Sequence, residues 1–201
     1  MTMQYYRILV IDDNPAIHDD FRKVLTPEVA NRDLEETRAK FFGSQALSDS
    51  PSIQFDIDCA EQGQIGHAMV QHAIQKNTPY AVAFVDMRMP PGWDGVETID
   101  QIWKIDPHLQ MVICTAYSDH DWEQVLQKLP NHDQLLILRK PFESIEVRQL
   151  ATSLAKRWVH LNDTRQKLSE LAAFQEERAT ETQEAIQQLE WEAQQRPEQL
   201  R

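Results

Sequence analysis

Four short apolar runs punctuate the first 140 residues, and each leads to a polar side chain. RILVI runs into Asp12 and Asp13, AVAFV into Asp86, MVICT closes on Thr115, and LLILR runs into Lys140 and Pro141. Runs this short, apolar and rich in β-branched residues or Leu are the pattern of parallel strands buried on both faces. A fifth segment, Gln54 to Ala60, alternates Phe55, Ile57 and Cys59 with Asp56 and Asp58, which predicts an edge strand with one solvated face. Helical periodicity fills the intervals. Asn14 and Pro15 supply a capping side chain and a proline at the first helical position, with Ile17, Phe21, Val24 and Leu25 facing inward and His18, Asp19 and Asp20 outward. Further helices are predicted over Gln64 to Lys76 (Ile65, Ala68, Met69 and Ala73 inward), Val96 to Lys104 (Val96, Ile99 and Trp103) and Asp121 to Lys128 (Trp122, Val125 and Leu126). Strands alternating with helices give an α/β, doubly wound fold on a parallel sheet.

Two segments depart from that alternation. Residues 28–54 form an enlarged connection that ends in the breaker-rich SDSPS. Within it, Leu34 to Phe42 has the composition of an extra helix, and Phe41-Phe42 reads as packing against the chain's own domain ahead of docking a partner. After Pro141 neither Gly nor Pro occurs until Pro197, and the Gln, Glu, Ala, Leu and Arg of this stretch predict one helix over 143–196. A 4-3 stripe runs from Val147, Ala151, Leu154, Trp158 and Leu161 through Arg165, Leu168, Ala172, Gln175, Ala179, Thr182, Ile186, Leu189 and Ala193. This is a heptad seam about 70 Å long, more than one small domain can cover. The expected arrangement is a domain over 1–155 followed by a coiled coil beyond about residue 156, paired as a parallel homodimer. Arg165, Gln175 and Thr182 on the seam weaken association and help to fix register.

Composition narrows the choice of partner. The 201 residues carry a net charge of -12 and a pI near 5.0, which argues against nucleic acid, for which a basic face is required. Neither a charged-then-apolar leader nor a long apolar span is present, so a cytoplasmic protein without membrane attachment is expected. Cys59 and Cys114 both fall in predicted strands, where reduced, buried thiols are the default. The seven histidines show no metal-ligand spacing.

In open α/β sheets ligands bind at the C-terminal ends of the strands. Asp12, Asp13, Asp86, Thr115 and Lys140 therefore share one rim. Two carboxylates about 4 Å apart repel by roughly 4 kcal/mol at an effective dielectric near 20, so three together call for protonation or a cation. Mg²⁺ suits few carboxylates, several waters and a phosphoryl group, and its charge keeps Asp86 ionised and nucleophilic. An aspartyl phosphate is the chemistry this composition fits, with Lys140 pairing one phosphoryl oxygen and Thr115 donating to another.

On these residues the chain resembles the receiver domain of two-component response regulators over roughly residues 5 to 155. The resemblance implies a flavodoxin-like, five-stranded parallel sheet of order 2-1-3-4-5. It implies Asp86 as phosphoacceptor, Asp12, Asp13 and Asp86 holding Mg²⁺ with the backbone carbonyl of Arg88, Thr115 as switch hydroxyl and Lys140 as phosphate-sensing lysine. It also implies a cis candidate at Lys140-Pro141, a histidine kinase or phosphotransfer protein as donor, and a regulatory rather than enzymatic role. Three positions depart from the family pattern. The loop DMRMPPGWDG is one residue longer than usual. Ile137 stands where many receivers carry an aromatic ring, with Tyr117 as a candidate substitute. The connection at 28–54 is the third. Two other classes compete. One is a haloacid-dehalogenase-type hydrolase, which wants a second Asp two residues after the nucleophile, where Asn14 and Arg88 stand. The other is a coiled-coil scaffold whose receiver takes no phosphate, which the intact acidic, hydroxyl and lysine positions disfavour.

Overall fold

A computed structural model describes residues 4–26, 53–116, 129 and 134–195. The expected helix over Asp121 to Lys128, the extra helix at Leu34 to Phe42, the Phe41-Phe42 pair and Tyr117 lie outside the described residues.

The apolar runs become β1 (Gln4–Ile11), β2 (Ile53–Ala60), β3 (Val82–Asp86), β4 (Gln110–Ala116) and β5 (Leu135–Lys140). They form one sheet of order β2-β1-β3-β4-β5, and every pairing is parallel. The helices are α1 (Pro15–Leu25), α2 (Gly63–Gln75), α3 (Gly95–Ile105) and α4 (Ser144–Gln195). This is the doubly wound, flavodoxin-like arrangement expected from the sequence. β2 is an edge strand, as its alternation requires, with Phe55 buried and Asp56 exposed.

Because side chains alternate across a strand, the central strands feed two apolar layers. Leu9, Ile11, Ala83, Val85, Met111 and Ile113 join Val70 and Ala73 of α2 and Ile99, Ile102 and Trp103 of α3 in one cluster. On the opposite face Phe21 of α1 meets Phe84 at a ring-centroid distance of 4.8 Å and Phe142 at 5.4 Å. Early in α4, Val147, Ala151, Leu154 and Ala155 are buried. There the guanidinium of Arg148 donates to the Val24 carbonyl at 2.6 Å, satisfying an acceptor left over at the end of α1. Asn14 caps α1 by accepting from the Ala16 amide at 3.0 Å, and Pro15 opens the helix.

Two expected faces are corrected. In α2 the inward positions are Gly63, Gly66, Val70 and Ala73, whereas Ile65 and Ala68 are exposed. The reason is close approach. A Cβ at Gly66 would collide with the Ile11 side chain and one at Gly63 with Thr98, so the helix lays its glycines, not its bulkiest residues, on the core. His18 is buried rather than outward, at 6% exposure. The α1 positions facing the core are His18, Phe21 and Leu25, a stripe of three- and four-residue steps that displaces Ile17 and Val24 to half-burial. Asp19 and Asp20 remain exposed.

The chain divides into two compact units, Met1–Trp158 and Val159–Arg201. The second consists of the later turns of α4, in which Leu168, Leu171, Phe174, Ile186, Leu189 and Trp191 are all exposed. Among the described residues no helix is long and apolar enough to cross a membrane.

Candidate phosphoacceptor site

Strand register builds the site. β1 and β3 pair as far as Ile11↔Val85, and one step further each strand presents an aspartate, Asp12 and Asp86. On the other side Asp86 aligns with Cys114, Thr115 with Arg139, and Ala116 with Lys140. Polar residues separated by up to 128 positions in sequence therefore meet at one rim. The Lys140 ammonium lies between the two acids, donating to Asp12 Oδ2 at 2.7 Å and to Asp86 Oδ1 at 2.5 Å.

The second oxygen of each acid is also engaged. Asp12 Oδ1 accepts from the Asn14 amide at 2.9 Å, and Asp86 Oδ2 accepts from the Arg88 amide at 2.9 Å. Both carboxylates are withdrawn from solvent, with side-chain exposures of 3% and 12%. Burial on its own disfavours the Lys140 ammonium, but its hydrogen bonds to Asp12 and Asp86, and their charges, outweigh that and hold its pKa above the ordinary lysine value. Cys114, fully buried beside Asp86, has its thiol pushed well up by burial, so it is an inert neighbour and no second nucleophile. Both cysteines are free.

Thr115 is buried at the end of β4, and its hydroxyl donates to the Ala116 carbonyl at 3.1 Å. Asp13 is exposed beside Asp12. Ile137 is also exposed. The peptide Lys140-Pro141 is cis, as the sequence led us to expect, and Pro90-Pro91 is cis as well.

Among the described residues no three His, Cys, Asp or Glu side chains converge to form a ready-made metal cage. The donor set nevertheless fits a hard divalent cation. The buried Asp12 and the largely covered Asp86 already share one positive charge, Asp13 follows Asp12 in the chain, and Mg²⁺ keeps several waters, needing only one or two protein carboxylates.

The loop after Asp86 is held on three sides. Met87 and Met89 are buried, Gly95 donates its amide to the Met87 carbonyl at 3.0 Å, and Asp94 caps α3 through the Glu97 amide at 2.8 Å. A Cβ on Gly95 would stand 2.5 Å from the Asp86 carbonyl oxygen, so glycine is required where α3 starts against the strand that ends in Asp86. The third side is α2. Gln62 donates to the Pro90 carbonyl at 3.4 Å, and the rings of His67 and Trp93 meet edge-on at 5.9 Å. The length of the loop was legible in sequence, but its partner His67, one histidine among seven, carried no signal.

No family model matches the chain. It is 29% identical over 146 residues, 73% of this chain and 90% of the relative, to sporulation initiation phosphotransferase F of Bacillus subtilis. Among solved structures, a CheY-like response regulator receiver domain from Methanospirillum hungatei superposes with a TM-score of 0.53 at 17% identity, covering 79% of this chain and 98% of the other. A receiver domain from Clostridium thermocellum gives 0.54 at 20% identity, covering 78% and 98%. Strand order, the residues gathered at the rim and the similarity to that phosphotransferase agree: the chain has the fold of response regulator receiver domains and is similar in sequence to a phosphotransferase.

Proposed function

We propose that the protein is a phosphorylation-dependent signalling component in which Asp86 accepts a phosphoryl group from a phosphohistidine donor, and that the later turns of α4 join two copies. The observation that carries this reading is the pair of charge-assisted bonds from Lys140 to Asp86 and Asp12. A half-buried ammonium aligned on a strand-end aspartate is already placed to follow one of its oxygens once phosphorus is attached.

The chemistry is in-line phosphoryl transfer. An Asp86 carboxylate oxygen forms the new bond to phosphorus while the bond to the donor nitrogen breaks, and the imidazole departs with the electron pair. Asp12, Asp13 and Asp86, with the Arg88 carbonyl, would hold Mg²⁺, whose charge neutralises the phosphoryl oxygens. Lys140 pairs with one phosphoryl oxygen as a point charge. Thr115 reaches a second by giving up its bond to the Ala116 carbonyl, a rotation about one side-chain torsion. That exchange makes the hydroxyl a reporter of the phosphorylated state, and the buried start of α4 is the element through which β5 and Lys140 communicate with the exposed heptads.

Self-association is supported by the exposed seam. Leu168, Ile186 and Leu189 are each 45% exposed or more, and an apolar stripe at heptad spacing left open to water is the surface that a partner helix covers. The phosphoacceptor is tested by incubating the wild type and Asp86→Asn with Mg²⁺ and acetyl phosphate or beryllofluoride, followed by intact-mass measurement. An adduct on the wild type that is absent from Asp86→Asn is the expected result. An equal adduct on both, or none on the wild type, refutes the assignment.

A further inference from the structure

The loop from Met87 to Trp93 separates Asp86 from the helix-capping Asp94, and nothing in the phosphoacceptor chemistry uses its far half. Its course explains what holds it. The amide of Gly92 closes a turn onto the Met89 carbonyl at 3.1 Å, and the turn leans on the first turns of α2. There Pro90 receives the Gln62 side chain, Gly92 lies against the amides of Gln62 and Gln64, and the half-buried Trp93 meets His67 at an interplanar angle of 81°.

At its other end the loop carries Arg88, whose amide fixes Asp86 Oδ2 and whose carbonyl is the proposed backbone ligand. The residues flanking Arg88 are Met87 and Met89, both buried. Methionine is the least specifying of core side chains, since three rotatable bonds let it follow a shifted backbone. Burial of two methionines keeps the near half of the loop against the sheet, whereas Pro90, Pro91 and Gly92 are exposed, so the far half depends on its contacts with α2. An edge-on aromatic contact adds to the attachment of the loop beyond the area it buries.

We propose that Trp93 is a positioning residue for the phosphoacceptor site: braced edge-on against His67 of α2, it sets the path of the Asp86 loop and with it the cation affinity of the pocket. This inference rests on the reading of the site as a cation-dependent phosphoacceptor. It also assigns a task to α2, which otherwise contributes nothing to that site. The loop and the histidine form one unit, since Trp93 reaches the helix and His67 returns an anchor.

The test is a double-mutant cycle read as Mg²⁺ dissociation constants by titration calorimetry on the whole chain, with Trp93→Ala, His67→Ala, the double variant and the conservative Trp93→Phe. Residues that orient metal ligands typically cost 10- to 100-fold in affinity. Trp93→Ala is therefore expected to weaken Mg²⁺ by about tenfold, with His67→Ala shifted in the same direction. The double variant should be no worse than Trp93→Ala alone, and Trp93→Phe should return to within about twofold of the wild type, because a phenyl ring restores the edge contact. Wild-type affinity in Trp93→Ala, additive losses in the double variant, or failure of Trp93→Phe to rescue would each overturn the proposal. Should Trp93→Ala not fold by circular dichroism, His67→Ala against His67→Phe makes the same comparison from the other side. Absence of Mg²⁺ uptake by the wild type would instead overturn the reading of the site itself, whereas uptake by the wild type with an unaltered Trp93→Ala sinks this inference alone.

Discussion

Replacing Lys140 with methionine removes the ammonium between Asp12 and Asp86 while keeping a side chain of similar length. Nζ stands 2.7 Å from one acid and 2.5 Å from the other; at a tetrahedral angle between the two bonds the carboxylate oxygens are about 4 Å apart, where like charges repel by ~4 kcal/mol at an effective dielectric near 20. Hydrogen bonds to charged groups contribute about 1.5–3 kcal/mol each. Partial solvent access at Lys140, 22% exposed, screens part of both effects. A net destabilisation of about 3 kcal/mol in chelator is expected, the lower end of what breaking a buried pair costs. With an m-value of about 2 kcal/mol/M, that is a fall of about 1.5 M in the urea midpoint at fixed protein concentration. A cation that binds only the folded state raises its stability, and without the ammonium as competitor Mg²⁺ should restore most of the deficit in Lys140→Met while raising the wild type less. The folded pKa of Lys140 lies above the ordinary 10.5. Its contribution is therefore fully present below that value and lost only as pH rises through the higher folded value, so the gap between the two proteins should hold from neutral to about pH 10 and close beyond it. Equal stability in chelator, or equal gains from Mg²⁺, would refute the view that Lys140 acts as the resident counter-ion of the two acids.

Other expectations follow from the packing. Gly95→Ala places a Cβ against the backbone of Asp86 and Met87, which cannot yield, and should cost several kcal/mol or abolish folding. By contrast, Gly92→Ala meets only the ends of Gln62 and Gln64 and should stay within about 1 kcal/mol of the wild type by thermal unfolding. Tyr80→Phe removes the hydroxyl that receives Arg7 at 3.0 Å and donates to Asp58 at 2.8 Å; a loss of about 1–2 kcal/mol by urea titration is expected, and a neutral result would mean the cluster is dispensable. Leu168→Asp or Ile186→Asp should convert a dimer to monomer in sedimentation equilibrium while leaving phosphoryl labelling of Asp86 intact, and an unchanged mass would show that the seam does not join the copies.

The inner strands were legible because burial on both faces leaves a simple signature, whereas β5 reads the same in sequence but lies at an edge with Leu136 and Ile137 exposed. The meeting of Asp12, Asp86 and Lys140 at one rim followed from their places at strand ends, while the strand order rested on the family resemblance. What hydrophobic periodicity could not supply was the contribution of small residues. Ile65 and Ala68 score as an inward face, yet the helix turns Gly63 and Gly66 to the sheet because close approach, not side-chain bulk, fixes its rotation there. His18 was misplaced for a related reason. Its neighbours Asp19 and Asp20 colour the local sequence polar, while its own three- and four-residue relation to Phe21 and Leu25 puts it in the core. The bond from Thr115 to the Ala116 carbonyl and the seat of Trp93 on His67 depend on torsions and on loop path, which leave no periodic trace.

The tie between Arg148 and the Val24 carbonyl has a practical corollary. The first helix of the domain is finished by a residue that the ribosome adds 124 positions later, and the same turns of α4 bury Val147, Ala151, Leu154 and Ala155. A version of the protein trimmed immediately after Lys140 and Pro141 would keep every polar group of the rim, yet leave a frayed opening helix and an uncovered oily flank. The smallest piece able to stand alone therefore extends to about Trp158, where the first compact unit ends.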